Sequence, residues 1–423
     1  MSVLRKNIIS LFTLRGANYI LPLVTVPYLV RVLGPANFGR IAFAQAFIQY
    51  FVMLTDYGFD LSATRSIARA VNDSVKISRI FNAVLWVKLL TMLAGFGMMS
   101  GITFIVPSFH HDFPLFALCY LAVLGNALFP QWLYQGIQRM GYITAFTVIA
   151  RTIAVISIFL VVRHQNQYLL AAGLMSLGMP LAGILALSYA ARVANIRFAL
   201  PLFDDIKHVL INGWHIFIAT IGGTLYNSSN IFMLGLVAPS VVVGYFAAAD
   251  KLLKALQSLI YPVSDAVYPH IAMLLMRSRE QAFAFIGKLL GLFSLSSLLI
   301  AVVLIFGADQ ITHIAFGLQY GPSAEIIRLL SLWPLLIALN VIFGALFIVQ
   351  LNLGRLLSIS ILIPAIVHIL LLYPVARFLG AEGVAALMLL TELFVLCIRL
   401  TGLFRTHRQE LGMLVVGIFG VRI

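Results

Sequence analysis

Four cations sit where an apolar helix has least use for them. Arg15, Arg151, Lys251 and Lys254 each fall inside an apolar run long enough to cross a bilayer, roughly 10–15 Å from its nearer end at 1.5 Å per residue. A charge near the centre of such a run costs on the order of 2.5–3.5 kcal/mol on insertion scales, so each needs a compensating role. Arg15 and Arg151 have no acid three or four residues away in their own helices. Either an acid on another helix answers them, for which Asp56, Asp60 and Asp265 are candidates, or they line a cavity that receives an anion. Lys254 has Asp250 four residues before it on the same face, and a local pair there would leave Lys251 to the cavity. A phosphate-bearing ligand suits such a set.

Uncharged polar residues add a second pattern. Thr220, Thr224 and Asn227 recur at helical spacing, with Ser228, Ser229 and Asn230 at the outer end of the same run. Such a face suits sugar hydroxyls, and it equally suits hydrogen bonds between helices. Gln45, Gln49, Asn126, Gln131 and Trp132 are weaker candidates of the same kind. Asp56 and Asp60 lie four apart on one helical face, and Arg65 and Arg69 follow. Together with Asp250 they are candidates for gating or ion coupling. Lys88 and Arg399 stand within a turn or two of expected span ends and are expected to snorkel to head groups. Arg328 is expected to pair with Glu325 three residues earlier.

Catalytic signatures are missing from the sequence. There is no G-x-x-x-x-G-K-[ST], no H-E-x-x-H and no G-x-S-x-G. The adjacent His110 and His111 do not have the spacing of a zinc site. No cofactor, metal or catalytic residue is expected, and the chain reads as a non-enzyme.

The elements that must carry these residues follow from composition. The chain has 423 residues, 62% hydrophobic and only 10% charged, with a mean hydropathy of +1.03. Soluble domains carry roughly a quarter charged residues, so this is an integral membrane protein. The net charge of +14 is spread singly or in small groups between apolar runs, which argues against nucleic acid as a partner. Cys119 and Cys397 both fall in apolar runs and are expected as free buried thiols. Arg5-Lys6 and the apolar run after them imitate a signal peptide, but the run is too long and lacks a small-residue cleavage site, so it reads as an uncleaved first span.

Runs long enough to span fall near 8–32, 38–62, 84–106, 113–135, 143–163, 168–191, 211–236, 241–272, 285–307, 323–350, 355–376 and 383–404. With both termini cytoplasmic, seventeen loop and terminal cations lie inside and four outside, which sets the orientation. The expected fold is therefore all-α, with twelve transmembrane helices. The hydrophilic connector 192–210 separates an N-terminal six-helix bundle, 1–191, from a C-terminal one, 211–404, and 405–423 is a cytoplasmic tail whose apolar part is expected at the inner interface. Leu33-Gly34-Pro35 before Gly39-Arg40-Ile41-Ala42 is echoed by Val237-Ala238-Pro239 before Gly244-Tyr245-Phe246-Ala247. The echo suggests parallel repeats about a pseudo-two-fold axis normal to the membrane, as in alternating-access transporters.

The opening of the chain also carries a resemblance. Val26-Pro27-Tyr28-Leu29-Val30-Arg31-Val32-Leu33-Gly34-Pro35, then Phe38-Gly39, Ala42-Phe43-Ala44-Gln45, Asp56-Tyr57-Gly58-Phe59 and Ala63-Thr64-Arg65, resembles the start of the bacterial O-antigen flippase family. That family belongs to the multidrug/oligosaccharidyl-lipid/polysaccharide exporter superfamily. The resemblance implies a flippase for an undecaprenyl-diphosphate-linked O-antigen repeat unit, moved from the inner to the outer leaflet of the bacterial inner membrane. It points to lipid-linked oligosaccharide and membrane lipid as ligands, and to a polysaccharide polymerase and chain-length regulator as partners. On this reading the diphosphate sits on Arg15, Arg151 and Lys251. The alternatives are a cation-coupled multidrug exporter, which calls for deep carboxylates, and a membrane-embedded polymerase or ligase, for which the outer loops are short.

Overall fold

The computed structural model describes the backbone of residues 3–258 and 260–419 and the side chains of 21–414, apart from 219, 222–224, 226, 227 and 259. Among the described residues the fold is all-helical, with no strand. Nine helices there are long and apolar enough to cross a membrane: Leu21–Arg69, Ser74–Ile105, Phe113–Gly136, Met140–Val161, Gln165–Ala194, Ser240–Arg277, Arg279–Phe316, Ser323–Ile348 and Gly354–Thr406. Two of these runs contain helices joined at one non-helical residue, Gly34 (φ 71°, ψ 168°) in the first and Gly380 (φ 60°, ψ −148°) in the last. A positive φ is cheap for glycine, and Pro35 then opens the next helix, where its missing N–H costs nothing. The helix Phe203–Val237 adds a further long element.

Several expected spans are broken. The run 113–135 is divided into Phe113–Cys119, Leu121–Leu128 and Gln131–Gly136. Pro130, with no N–H to donate, stands at the last of these breaks. The run 323–350 is divided into Ser323–Leu329, a short 3-10 turn, Trp333–Val341 and a seven-residue π-helix, Ile342–Ile348. The expected tail contains the helix Arg408–Phe419, which packs against Arg279–Phe316 with Leu411 and Leu414 buried. Cys119 is buried as expected, whereas Cys397 is exposed, because its position on the helix faces away from the packed side.

Contacts divide the chain into two compact units, 1–232 and 233–423. Within the first, Phe43, Phe47 and Tyr50 surround Phe232, with the Phe43 and Phe47 rings stacked on it at 5.5 and 5.6 Å. Leu121–Leu128 packs against Tyr168–Ala194 through Gly125 and Gly183. A Cβ on Gly125 would lie 2.4 Å from the Met179 carbonyl carbon and from Pro180 N, both of them backbone atoms that no rotamer change can move. Small residues let helices in a membrane approach this closely. Gly125→Ala is expected to destabilise the protein by about 1–3 kcal/mol through overpacking, read as a lower melting temperature of the purified protein. Gly101→Ala, where a Cβ meets nothing within 4 Å, is the control and should leave it unchanged. Within the second unit, Arg279–Phe316 is the central helix, touching the segments of 323–341 as well as Arg408–Phe419.

Candidate functional site

Asp56, Asp60 and Lys88 of the first unit meet at a helix break. Asp56 is the last residue of its helix, Tyr57 (φ 46°) and Gly58 (φ 72°) are left-handed, and a new helix runs from Phe59 to Arg69. Asp56 and Asp60 therefore do not share one continuous helical face as their spacing suggested. The Tyr57 ring stacks on Phe217 at 4.6 Å, and a Cβ on Gly58 would lie 2.7 Å from Ile216 Cγ2, so the helix carrying Ile216 rests on the break.

Lys88 reaches this break from the helix Ser74–Ile105. Its side chain is 2% exposed and its Nζ donates to Asp56 Oδ1 at 3.1 Å, with Asp60 close enough to interact with both charges. The expectation that Lys88 snorkels is corrected: counted along the chain it is near a span end, but its face of the helix points into the protein. Asp56 is accordingly committed to Lys88.

Arg151 lies half-buried on Met140–Val161, its guanidinium 3.9 Å from Met179 Sδ and its Cγ against Gly178. Arg40 forms an ion pair with Asp112 and stacks 4.7 Å over the Tyr168 ring, and Arg79 makes two hydrogen bonds to Asp205, at 2.9 and 3.1 Å. Thr220 bonds back to the Phe217 carbonyl, and Ser229 meets the Tyr50 hydroxyl at 3.0 Å. These two residues of the expected sugar-facing surface thus bond within the unit. Arg15, Thr224 and Asn227 lie outside the residues whose side chains are described.

In the second unit, Lys254 pairs with the buried Asp250 at 2.8 Å, as the spacing predicts. Lys251, half-buried, precedes it by one turn. Arg328 pairs with Asp309 rather than with Glu325, because the helix Arg279–Phe316 packs alongside Ser323–Leu329 and brings a second acid within reach.

A buried polar network in this unit was missed from sequence. Arg399 Nε donates to Ser360 Oγ at 3.1 Å, and Nη1 donates to the Asn340 carbonyl. The Asn340 amide donates to Glu392 Oε2 at 2.8 Å and to the Glu392 carbonyl at 3.0 Å. Arg399, Asn340, Glu392 and Ser360 are all buried, so the snorkelling expected of Arg399 is corrected too. Beside them the buried His368 meets Thr391 Oγ1 at 2.8 Å. The Thr391 hydroxyl gives its one proton to the Leu387 carbonyl, so His368 Nδ1 is the donor in this contact. Glu392 and Arg399, seven residues or two turns apart on one helix, were the readable signal.

Comparison with known proteins agrees with this picture of a helical membrane protein. Residues 4–275 match the model of the polysaccharide biosynthesis protein family. The chain is 31% identical over 392 residues to the "Putative O-antigen transporter" of Escherichia coli (strain K12), covering 93% of this chain and 94% of that protein. It is 29% identical over 398 residues to the protein of the same name from Shigella dysenteriae, covering 93% and 98%. Its fold is similar to that of the Lipid II flippase MurJ in an inward closed conformation, with a TM-score of 0.73 at 13% identity over 99% of this chain and 91% of that one. It is also similar to an inward-facing multidrug resistance MATE family transporter of the MOP superfamily, with a TM-score of 0.63 at 14% identity over 93% and 95%. With its apolar helices, this makes the chain a multi-pass membrane protein with a transporter fold. It belongs to the polysaccharide biosynthesis protein family.

Proposed function

We propose that the protein is a flippase that carries an undecaprenyl-diphosphate-linked oligosaccharide, the O-antigen repeat unit, from the cytoplasmic to the periplasmic leaflet of the inner membrane by alternating access. The observation that carries this reading is the kinship, over 93% of the chain, with proteins named as O-antigen transporters. The whole-chain fold likeness to a lipid flippase supports it. A multidrug exporter shares that fold, but its cationic substrates call for deep carboxylates with charge to spare. Here two of the deep carboxylates, Asp56 and Asp250, are engaged by Lys88 and Lys254.

In this reading the nine apolar runs, the breaks at Gly34 and Gly380 and the helix Phe203–Val237 make up twelve spans in two groups of six, with both termini cytoplasmic. Arg15, Arg151 and Lys251, with Lys254 beside them, neutralise the diphosphate, while Thr224 and Asn227 meet the sugar. The polyprenyl tail stays in lipid, so no covalent step is needed and no enzyme chemistry is assigned. Each negative charge carried outward gains about 2.3 kcal/mol per 100 mV of inside-negative potential. A polysaccharide polymerase and a chain-length regulator would act on the product.

Reconstitution into vesicles tests the proposal. The protein should make a lipid-linked repeat unit loaded on one leaflet accessible to an impermeant lectin on the other side, above the rate of protein-free vesicles. Transport of a lipophilic cation without movement of the glycan lipid would replace this reading with the exporter.

A further inference from the structure

A cavity of about 330 Å³ opens at the C-terminal end of the helix Arg279–Phe316, which is its periplasmic end in the orientation proposed above. The helix stops at Gly317, whose φ of 92° suits glycine and redirects the chain, and whose N–H closes the last turn on the Thr312 and His313 carbonyls at 3.2 and 3.0 Å. A short 3-10 turn, Leu318–Tyr320, follows. Tyr320 anchors that turn, fully buried with its ring 5.8 Å from those of Phe316 and Tyr245. Leu318, two residues earlier, is left 83% exposed in the wall of the cavity.

The helix side of the cavity is polar. Asp309 and Gln310 lie four and three residues before His313, so the three share a face, and Thr312 completes the wall. Asp309 gives Oδ2 to Arg328, while its Oδ1 accepts no hydrogen bond among the described residues. Thr312 is 2% exposed and its hydroxyl has no partner there, whereas Thr25, Thr103 and Thr391 each bond back to the carbonyl four residues before. A buried polar group left unpaired calls for an explanation, and a ligand at this wall supplies one.

The lining also narrows the ligand. It includes no lysine or arginine, so a phosphate finds no fixed positive charge in it, and it includes no aromatic ring on which a planar ligand could stack. Among the described residues no group of three metal-ligating side chains occurs. A carboxylate oxygen, an amide, an imidazole and a hydroxyl around one apolar side chain match a pyranose, whose hydroxyls both donate and accept and whose C–H face can rest on Leu318. The volume is at the small end of ligand sites and suits a single ring.

We propose that this cavity binds one sugar ring of the glycan on the periplasmic side, as a docking point for the head group leaving the membrane. Asp309 and Gln310 hold ring hydroxyls, with His313 and Thr312 beside them and Leu318 under the ring. The sugar chemistry is read from the cavity, and its place on the exit path rests on the flippase reading.

The test offers galactose, glucose, mannose and N-acetylglucosamine, each at millimolar concentration, to the full-length protein in lipid nanodiscs, with binding read by saturation-transfer NMR. At least one should bind. Gln310→Ala and His313→Ala should each weaken that binding by about three- to tenfold, the scale of one net hydrogen bond. Thr312→Val should weaken it too, while the melting temperature holds or rises, because no described residue uses that hydroxyl. Gly321→Phe should abolish binding: Gly321 has ordinary right-handed helical angles and its Cβ would meet only the Leu318 carbonyl oxygen, at 3.9 Å, so the added ring enters the cavity without backbone strain. Binding of none of the four sugars, or binding that survives Gly321→Phe in folded protein, overturns the site. In vesicles Gly321→Phe should slow delivery of the glycan lipid, and full delivery without sugar binding would take the cavity off the exit path. Wild-type protein that moves no glycan lipid refutes the flippase reading, and the NMR data then still decide the cavity.

Discussion

Asp56→Ala should lower the stability of the protein by about 3 kcal/mol, the lower end of the roughly 3–5 kcal/mol that follows loss of one partner from a buried ion pair. The Lys88 ammonium, 2% exposed, would be left in an apolar surround with Asp60 as its remaining acid. Lys88→Met should cost less, because Asp56 is 30% exposed and water can replace part of what the lysine gives it. The double variant Asp56→Ala with Lys88→Met should recover much of the loss, since apolar replacement of a buried pair is often neutral. Melting temperature and membrane abundance of the four proteins form a thermodynamic cycle. Effects that add within about 0.5 kcal/mol would mean that the two residues do not act as a pair.

Much of this architecture could be read from the sequence because the bilayer imposes a length on every apolar run. The break at Gly34-Pro35 and the pair Asp250–Lys254 are local, and local signals survive without a structure. Lys88 and Arg399 were misread for one reason. Depth was judged by distance along the chain to a span end, whereas their environment depends on which side of the helix faces protein. Their partners, Asp56 and Asn340, lie 32 and 59 residues away, beyond any helical spacing rule. Arg328 failed similarly, since the acid three residues before it was a fair partner until packing supplied Asp309. The Asp56/Asp60 face failed because Tyr57 and Gly58 turn left-handed inside a run that hydropathy alone treats as continuous.

The proposed role of Arg151 and Lys251 in holding the diphosphate gives the second large effect. Arg151→Ala and Lys251→Ala should each abolish export of the repeat unit in a flippase-deficient strain while abundance and melting temperature stay near wild type. Removing a charged contact to a desolvated anion costs about 2–5 kcal/mol, or about 30-fold to several thousand-fold at 1.4 kcal/mol per decade. The fold should lose little, because a charge kept for substrate is a burden to the empty protein. The Arg151 stem packs against Gly178, and its guanidinium lies 3.9 Å from the Met179 sulfur. Arg151→Lys should retain part of the activity, since an ammonium still attracts phosphate without offering two parallel hydrogen bonds. Lys254→Ala should behave differently and lower stability, because it leaves the buried Asp250 carboxylate without its ammonium. If Arg151→Ala and Lys251→Ala instead lose abundance in step with activity, both are structural cations like Lys88, and the diphosphate must be held elsewhere.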